Sequence, residues 1–513
     1  MPGRMEFEVN FSTATQGKQR RSETTPMRIL LMGDFSGQNQ PAPGFVLHKL
    51  DLDTLEPLLE KLAPRVELCI GKEQTEVVSI DFTSLDSFLP DDLFDRLPIF
   101  QHLKTLRSNL NNPDTFAQAA AQLAIPTVQT TAEPAGATAA EKSSPKGDTD
   151  LLEQLIADRS AHIATEPTAV TSGKSVDITA FIKNAVAPYI EAGPNPQLDR
   201  YIAGVDHTIS EIMRTILHDP QFQALEAVWR SAYECITRLE LDESISLHIV
   251  DVSKAQLQQE LHAVADDITA SSLYQSVVEQ SVQTLGGEPW SVLVGLYEFS
   301  YQSRDIECLN ALGQLAYHSS AAFIAAADSD LLGCDSLATD TDARQWRSLT
   351  REAQQAWDEV RVQIHANWLA LTFPRFLLRL PYGVKGEEID SFTFEELPPD
   401  DMAVEQRHGC YLWGNAAIVC AVLIGQSFQQ NGWSMSLGDV LELDDLPWHV
   451  SESHGEKTIK PCAEAVLSER SAEVIESYGV MPLMSYKDRN SVKLWRFRSL
   501  SKQNGALAGP WAD

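Results

Sequence analysis

The sequence predicts an α/β fold, in the broad sense that includes α+β, built from a small segment, a flexible linker and a larger segment that begins with helices. Two observations predict it. The chain has 513 residues, which exceeds the roughly 250–300 residues at which one hydrophobic core stops growing. Strand-like and helical patterns alternate on both sides of a stretch rich in Ala, Thr, Pro, Gly and Ser. We therefore predict domains at 1–124 and 151–513, joined by a linker at 125–150.

In the small segment, apolar runs predict strands and periodic runs predict helices. The second helix is expected to be introduced by Pro90, because proline and the acids Asp91 and Asp92 suit a helix N-terminus. The predicted strands cover 28–32, 66–70 and 76–82, and the predicted helices cover 53–62 and 91–110.

The stretch "RILLMGDFSGQNQ" at 28–40 ends a strand in a polar turn. It lacks the glycine and lysine spacing of a phosphate-binding loop, and G-D-F-S-G does not match the G-x-S-x-G of a nucleophile elbow. We therefore interpret it as a strand end, where Gly33 and Gly37 relax the backbone and Asp34 or Ser36 caps the turn.

In the larger segment, apolar residues at helical spacing over 198–238 predict two helices with a corner at His218-Asp219-Pro220. Alternating helical and strand-like patterns continue beyond them. The other predicted helices cover 151–159, 178–190, 255–264, 304–319 and 343–357, and the predicted strands cover 244–252, 290–297, 322–326 and 480–485.

The composition argues against several classes of partner. The formal net charge is −32, from 72 acidic and 40 basic side chains, so nucleic acid and anionic membrane surfaces would be repelled. No stretch approaches the roughly 18–20 apolar residues of a membrane span, and the N-terminus lacks a secretory signal, which predicts a cytoplasmic protein without membrane insertion. The seven cysteines are dispersed without a C-x-x-C pair, which favours buried free thiols over a metal or redox site.

Two stretches carry charge in unusual patterns. Eight acids and no base occupy 387–405, where a solvated loop is preferred to a metal cage because Pro398-Pro399 interrupts the spacing that calcium loops need. In "PRFLLRLPYG" at 374–383, Arg375 and Arg379 stand among apolar residues. They predict an anion site or, preferably, buried guanidiniums paired with carboxylates such as those at 387–405.

The small segment resembles the small subunit of the type VI secretion contractile sheath, called TssB, VipA or ImpB. The segment after the linker resembles the large sheath subunit, called TssC, VipB, ImpC or EvpB. The first resemblance rests on "MRILLMGDFSGQ" (27–38), "LDLDTLEPLLEKLAPRVEL" (50–68) and "IDFTSLDSFLPDDLFDRLPIFQHLKTLRSNL" (80–110). The second rests on "LLEQLIADR" (151–159), "ILHDPQFQALEAVWRSAYECI" (216–236), "GGEPWSVLVGLYEF" (286–299), "LALTFPRFLLRLPYG" (369–383), "FTFEE" (392–396), "YLWGNAA" (411–417) and "NGWSMSLGDVLELDDLPWHV" (431–450).

The resemblance implies a fusion of the two subunits that acts as a non-enzymatic, structural sheath component without a cofactor. In this family, small and large subunits pair and stack around a tube of Hcp protein, and contraction drives effector delivery. The implied partners are other sheath subunits in homo- or hetero-oligomers, the Hcp tube, baseplate proteins and the ClpV ATPase. Residues 151–159 are the expected place for ClpV recognition.

The sequence departs from the family pattern in two places. It stops soon after the region at 478–503, whereas large subunits continue through a further helical and strand segment, and Leu296 stands where an acidic residue is common. An accessory piece that joins, caps or regulates a sheath without polymerising is therefore the alternative function. A metal-dependent enzyme that uses residues 387–405 is a third hypothesis.

We expect function to rest on structural and interface side chains, with no catalytic, metal-binding or cofactor-binding residue. Aromatic side chains and paired arginines would organise the core of the large segment. The predicted set comprises Asp34, Phe35, Phe88, Pro90, Phe222, Leu225, Glu226, Trp229, Arg230, Pro374, Arg375, Arg379, Pro381, Tyr382, Trp413, Gly414, Asn415, Phe428 and Trp433.

Overall fold

The computed structural model describes residues 21–37, 44–70, 76–123, 198–264, 267–384, 386–397, 402–453, 456–503 and 505–511. These residues combine helices with a mixed sheet, which confirms the predicted α/β class. The predicted linker at 125–150 and the predicted helices at 151–159 and 178–190 lie outside the described residues. Within the described part of the chain, no helix is both long enough and apolar enough to cross a membrane.

All of the predicted strands are present, each displaced by at most two residues. In chain order, the strands of the described residues are β1 (Met27–Gly33), β2 (Leu47–Leu50), β3 (Arg65–Ile70), β4 (Glu76–Asp81), β5 (Ile245–Asp251), β6 (Val292–Phe299), β7 (Ala322–Ala327), β8 (Leu369–Phe373), β9 (Phe376–Leu377), β10 (Trp413–Gly414), β11 (Glu442–Leu443), β12 (His449–Ser453), β13 (Glu456–Lys460), β14 (Val480–Ser485) and β15 (Val492–Leu494).

The longer helices of the described residues are α1 (Leu55–Leu62), α2 (Pro90–Arg96), α3 (Pro98–Asn111), α4 (Phe116–Leu123), α5 (Leu198–Leu217), α6 (Pro220–Arg238), α7 (Lys254–Val264), α8 (Ser303–Ser319), α9 (Arg351–Arg361), α10 (Val404–Gly409), α11 (Ala417–Asn431) and α12 (Glu469–Ser477). Short helical turns lie at Leu85–Phe88, Ile268–Ala270, Ser272–Tyr274, Gln275–Glu279, Ser329–Leu332, Ile364–Trp368 and Gly432–Ser434. The helices predicted on either side of the corner at 218–220 are α5 and α6.

Two predicted helices differ from the structure. The pattern at 91–110 forms two helices, α2 and α3, because Pro98 has no N–H to donate and restricts Leu97 to an extended conformation. The helix predicted at 343–357 is α9, which begins only after Thr350, whose side chain accepts a hydrogen bond from the N–H of Ala353 at 3.2 Å. Helix α11 was not predicted, because it is apolar on nearly every side and shows little periodicity.

The chain divides into two compact units, each drawn from separate stretches of sequence. The larger, here called the sheet unit, comprises the described residues within Met1–Val66, Asp81–Leu89 and His218–Asp513. The smaller, here called the helical unit, comprises the described residues within Glu67–Ile80 and Pro90–Leu217. The domain boundaries predicted at residues 124 and 151 fall outside the described residues and stay predictions.

The sheet unit is organised by a nine-stranded sheet in the order β11-β15-β14-β8-β7-β6-β1-β5-β2. The six strands from β14 to β5 run parallel to their neighbours, while β2, β15 and β11 pair antiparallel at the two margins. Strands of a parallel sheet are covered on both faces and therefore read as continuous apolar runs. Strand β7, with the sequence AFIAAA, is buried at every residue.

Strand β1 lies inside this sheet, between β5 and β6. It pairs with β5 from Met27 opposite Ile245 to Gly33 opposite Asp251, and with β6 from Ile29 opposite Val292. The strand is buried along nearly its whole length, as its apolar sequence requires. The stretch before the predicted linker and the stretch after it therefore share one sheet.

In the helical unit, α3 packs against α5. The apolar face predicted for α5 is buried, and α3 buries the matching face. Arg107 Nε and Nη2 donate to Asp206 Oδ1 and Oδ2 at 2.6 and 3.1 Å, and the Phe116 ring meets the Tyr201 ring edge-on at 6.1 Å. Apolar burial thus holds this pair together, with one bidentate ion pair beside it.

Candidate functional site

The turn after β1 is closed by two carboxylates. The N–H groups of Phe35 and Ser36 donate to Asp251 Oδ1 at 2.7 and 3.1 Å, and the N–H of Gly37 donates to Asp34 Oδ1 at 2.9 Å. Gly37 has a φ of +65°, which glycine adopts without strain. Burial, with the nearby Asp251 carboxylate, raises the pKa of Asp34 to about 6. These three amides are already used, which supports the interpretation of the stretch as a structural turn.

Predicted aromatic residues form two groups in the sheet unit. Trp229 Nε1 donates to the carbonyl oxygen of Phe35 at 2.9 Å, and the two rings meet edge-on at 5.2 Å. The Phe88 ring stacks on Phe82 at 4.1 Å and meets Phe222 edge-on at 5.8 Å. Since Trp229 and Phe222 belong to α6, both groups join the stretch before the predicted linker to a helix after it.

The Arg379 cluster consists of Arg379, Glu226, Glu396, Arg230 and Tyr382. Arg379 donates from Nε to Glu226 Oε1 at 2.8 Å, and from Nη1 and Nη2 to the two oxygens of Glu396 at 2.7 and 3.0 Å. Arg230 donates to Glu226 Oε1 at 2.7 Å and to the Tyr382 hydroxyl at 3.1 Å. The N–H of Tyr382 donates to Glu396 Oε2 at 2.7 Å. One of the Arg379 partners, Glu396, belongs to the acidic segment that the sequence singled out.

Two guanidiniums balance two carboxylates in this cluster, which is why the charges can be buried. Glu226 and Glu396 are fully buried, and Arg379 nearly so. Burial disfavours the charge on Glu396, but Arg379 and His218 outweigh it and lower the pKa of that carboxyl to about 2. Burial likewise opposes the charge on Arg379, yet the two glutamates hold its pKa well above the ordinary value.

The Arg375 cluster consists of Arg375, Glu464, His408, Lys460 and Glu298. Arg375 donates to both oxygens of Glu464, at 2.6 and 3.1 Å, and its Nε lies 3.9 Å from Glu298 Oε1. His408 Nε2 lies 2.8 Å from Glu464 Oε1, and Lys460 Nζ lies 2.6 Å from His408 Nδ1. The cluster is thus a chain of polar groups that runs from the end of β6 to the end of β13.

Aromatic rings cover one end of the Arg375 cluster. The Trp413 ring stacks on His408 at 4.9 Å, and its Nε1 donates to the His408 carbonyl oxygen at 3.0 Å. Lys460 Nζ lies 5.2 Å from the Trp413 ring centroid and 5.6 Å from that of Tyr411. The Tyr411 hydroxyl lies 3.0 Å from His449 Nδ1. His449 and Lys460 pair with each other across β12 and β13, so these contacts fasten both strands at the open end of the hairpin.

Burial and charge shift the groups of this cluster in different directions. Burial opposes the charge on Glu464, but Arg375 and His408 hold its pKa well below the ordinary range. Burial lowers the pKa of His408 against the opposing effect of Glu464. Burial, helped by Arg375 and opposed by Glu464, lowers the pKa of Lys460 to about 8. Lys460 therefore loses its proton at a lower pH than an ordinary lysine.

The remaining predicted residues are placed elsewhere in the two units. Phe428 meets Trp433 edge-on at 4.7 Å, and Trp433 Nε1 donates to the Thr25 carbonyl oxygen at 2.6 Å. Asn415 Nδ2 donates to the Tyr297 carbonyl oxygen at 3.0 Å. Leu225, Pro374, Pro381 and Gly414 are buried in the sheet unit, and Pro90 is buried in the helical unit.

Sequence reasoning missed Asp251, Glu464, His408 and Lys460. Glu464 lies 89 positions from Arg375, so no local pattern joins them. Asp251 ends β5, and carboxyl ends of neighbouring parallel strands meet at one edge of the sheet. Asp34 follows β1 and Asp251 ends β5, so this rule could have predicted that the two carboxylates lie close together.

The cysteine and metal expectations have separate outcomes. Six of the seven cysteines are buried, but Cys69 lies on the exposed side of β3, so the expectation of a buried thiol is wrong there. Among the described residues, no group of three or more His, Cys, Asp or Glu side chains is arranged to hold a metal ion. Residues 398–401 of the acidic segment lie outside the described part of the chain.

Comparison with known proteins gives two family matches and a relative. The family described as "EvpB/VC_A0108, tail sheath N-terminal domain" (VipB) matches residues 199–501, and "Type VI secretion system, VipA, VC_A0107 or Hcp2" matches residues 4–124. Type VI secretion system sheath protein TssC1 of Pseudomonas aeruginosa is 28% identical over 334 residues, and the match spans 64% of this chain and 64% of that relative. With a VipA-like segment and a VipB-like segment in one sequence, the chain belongs to the family of type VI secretion tail-sheath proteins.

Proposed function

We propose that this chain is a structural, non-catalytic subunit of a type VI contractile sheath that packs around a tube of Hcp protein in the cytoplasm and contributes to contraction-driven effector delivery. The observation that carries the proposal is the shared sheet. Strand β1, from the VipA-like segment, is hydrogen-bonded on both sides to strands of the VipB-like segment. Two segments that share a sheet in this way act as one building block.

The covalent connection suits such a building block. Joining two partners through a linker fixes their ratio at one to one and raises their effective concentration to roughly millimolar. Pairing within the fusion then no longer depends on the expression level of two separate chains. A fixed ratio suits a lattice of identical repeating units.

The proposed partners follow from the same function. Other sheath subunits would contact the surfaces of each fusion, in homo- or hetero-oligomers, and the Hcp tube would lie inside the assembly. Baseplate proteins would meet its end, and the ClpV ATPase would dismantle it after contraction. The stretch proposed for ClpV recognition, residues 151–159, lies outside the described residues.

Negative-stain microscopy and sedimentation of the purified chain, alone and mixed with Hcp, test the proposal. A sheath subunit is expected to form long tubes that pellet, and Hcp is expected to pellet with them. Hcp alone and the chain alone are the controls. A monodisperse particle of one or a few copies under every condition would contradict polymerisation and favour an accessory piece that joins or regulates a sheath built by other subunits.

A further inference from the structure

The amine of Lys460 has a partner that is unusual for a lysine. Its Nζ donates a hydrogen bond to an imidazole nitrogen, His408 Nδ1, at 2.6 Å. The side chain is half-buried at the end of β13, between the rings of Trp413 and Tyr411. The low-dielectric setting favours the neutral amine over the ammonium ion, and the imidazole nitrogen beside it is placed to take up a proton that the amine loses.

His408 is held so that this nitrogen faces Lys460. Its other ring nitrogen, Nε2, lies 2.8 Å from Glu464 Oε1 and donates to that carboxylate. Glu464 is itself fixed by the two hydrogen bonds from Arg375. A nucleophile, a base within hydrogen-bond reach and a third group that orients the base form the arrangement that activates nucleophiles in proteins.

The polar and charged groups that act on this amine come from three places in the fold. His408 belongs to α10, Glu464 follows β13 and Arg375 follows β8, while Glu298, near the end of β6, lies 3.9 Å from Arg375. Arg375 repels the ammonium ion and Glu464 attracts it, while burial favours the neutral form. The balance lowers the pKa of Lys460 to about 8, which agrees with the geometry.

We propose that Lys460 is a reactive lysine that takes an acyl group from small activated acyl donors of the acyl phosphate class. The lone pair of the neutral amine attacks the carbonyl carbon and forms a C–N bond. The bond from that carbon to the phosphate oxygen breaks, and the phosphate leaves with the electron pair. His408 Nδ1 accepts the proton that the nitrogen loses and passes it to water. The products are an amide at Lys460 and inorganic phosphate.

Acylation changes the site because the positive charge is lost. The amide no longer contributes a cation to the rings of Trp413 and Tyr411, which weakens the attachment of the β12–β13 hairpin. This inference does not depend on the proposed sheath function, since it concerns the chemistry of one side chain.

The test treats the full chain with acetyl phosphate and measures the acetylation rate of each lysine by peptide mass spectrometry between pH 6 and 10. Lys487 and Lys493, both exposed, are the internal reference. At pH 7.5, Lys460 is expected to react roughly tenfold faster than the reference lysines, because its larger neutral fraction outweighs the lower nucleophilicity of a weaker base. Its rate should level off above about pH 8. A Lys460 rate equal to or below the reference, or one still rising at pH 10, would overturn the proposal.

A substitution separates the role of His408 from burial alone. His408→Gln removes the base and is expected to slow acetylation of Lys460 while the rates at Lys487 and Lys493 stay unchanged. His262→Gln, at a histidine whose side chain is 80% exposed, is the matched control. A Lys460 rate that is the same in both variants would remove His408 from the proposal. If His408→Gln does not fold, the pH profile of the unaltered chain still decides between the two outcomes.

Discussion

The Arg379 and Arg375 clusters start from the same short stretch of sequence but differ in how they meet solvent. The Arg379 side chain is 2% exposed and both its glutamate partners are fully buried, whereas the Arg375 side chain is 38% exposed. The first cluster closes on itself with balanced charge. The second continues through His408 to a lysine at the end of a hairpin. The buried Arg379 cluster, here called closed, contributes to stability. The partly exposed Arg375 cluster, here called open, also presents Lys460, a group that can react.

The largest effect on stability is expected from a substitution that breaks the Arg379 cluster. Arg379→Met would leave Glu226 and Glu396 buried without their shared cation, and we expect a loss of about 3–5 kcal/mol in the free energy of unfolding. Arg375→Met should lose less, about 1–2 kcal/mol, because the Arg375 side chain is partly exposed and Glu464 keeps His408 as a hydrogen-bond partner. Urea unfolding followed by circular dichroism measures both. Equal losses in the two variants would remove the distinction between closed and open clusters.

Acid is expected to act on the closed cluster through Glu396. Its pKa is about 2 in the folded chain and near 4.5 ordinarily, so its contribution is present above pH 4.5 and lost as the pH falls toward 2. The shift corresponds to on the order of 3 kcal/mol. Glu396→Gln should be less stable at pH 7 and show a weaker acid dependence in urea unfolding between pH 5 and 2. Glu395→Gln, at the exposed neighbouring position, should keep the full dependence.

Substitutions of Trp413 test how much its ring, which covers one end of the Arg375 cluster, contributes to the free energy of unfolding. Trp413→Ala removes the ring that stacks on His408 and lies beside Lys460, and we expect a loss of about 3 kcal/mol in the free energy of unfolding. Trp413→Phe should lose about half as much, because a ring remains while the Nε1 hydrogen bond is gone. An alanine variant that keeps the stability and the partner binding of the unaltered chain would contradict the structural role predicted for Trp413.

The smallest expected effect appears at alkaline pH. The pKa of Lys460 is about 8 in the folded chain and near 10.5 ordinarily, so between these values the unfolded chain holds the proton and the folded chain does not. The contribution of Lys460 to stability therefore rises with pH across this window, by about 1 kcal/mol once solvent screening is allowed for. Lys460→Met should lack this rise in urea unfolding at pH 8 and 10, and Lys487→Met should retain it.

Sequence reasoning predicted local structure better than it predicted which strands pair with one another. The α/β class, the strand and turn at 27–37 and the two helices over 198–238 follow from apolar periodicity and turn residues, which act over a few positions. The position of β1 between β5 and β6 joins residues more than 200 positions apart, and no local rule selects those neighbours. A uniformly apolar strand indicated only that both of its faces are covered.

The Arg379 and Arg375 clusters likewise show that local sequence patterns do not identify distant partners. Two arginines among apolar residues indicate that buried carboxylates must exist, and Glu396 was within the segment named for that role. The partner of Arg375 was missed because Glu464 lies in a stretch with no excess of acid, and the lysine next to it on the hairpin gave no signal. Such partners depend on how loops from distant strands converge, which only the fold reveals.

The central position of β1 has a mechanical consequence. A pull on the chain ahead of Met27 acts along β1, parallel to the two strands beside it. Hydrogen bonds on both flanks then share the load in shear and must fail together, whereas a strand at the margin of a sheet can peel away one bond at a time. The strand that joins the VipA-like segment to the VipB-like segment thus lies where hydrogen bonds on both of its sides share the tension.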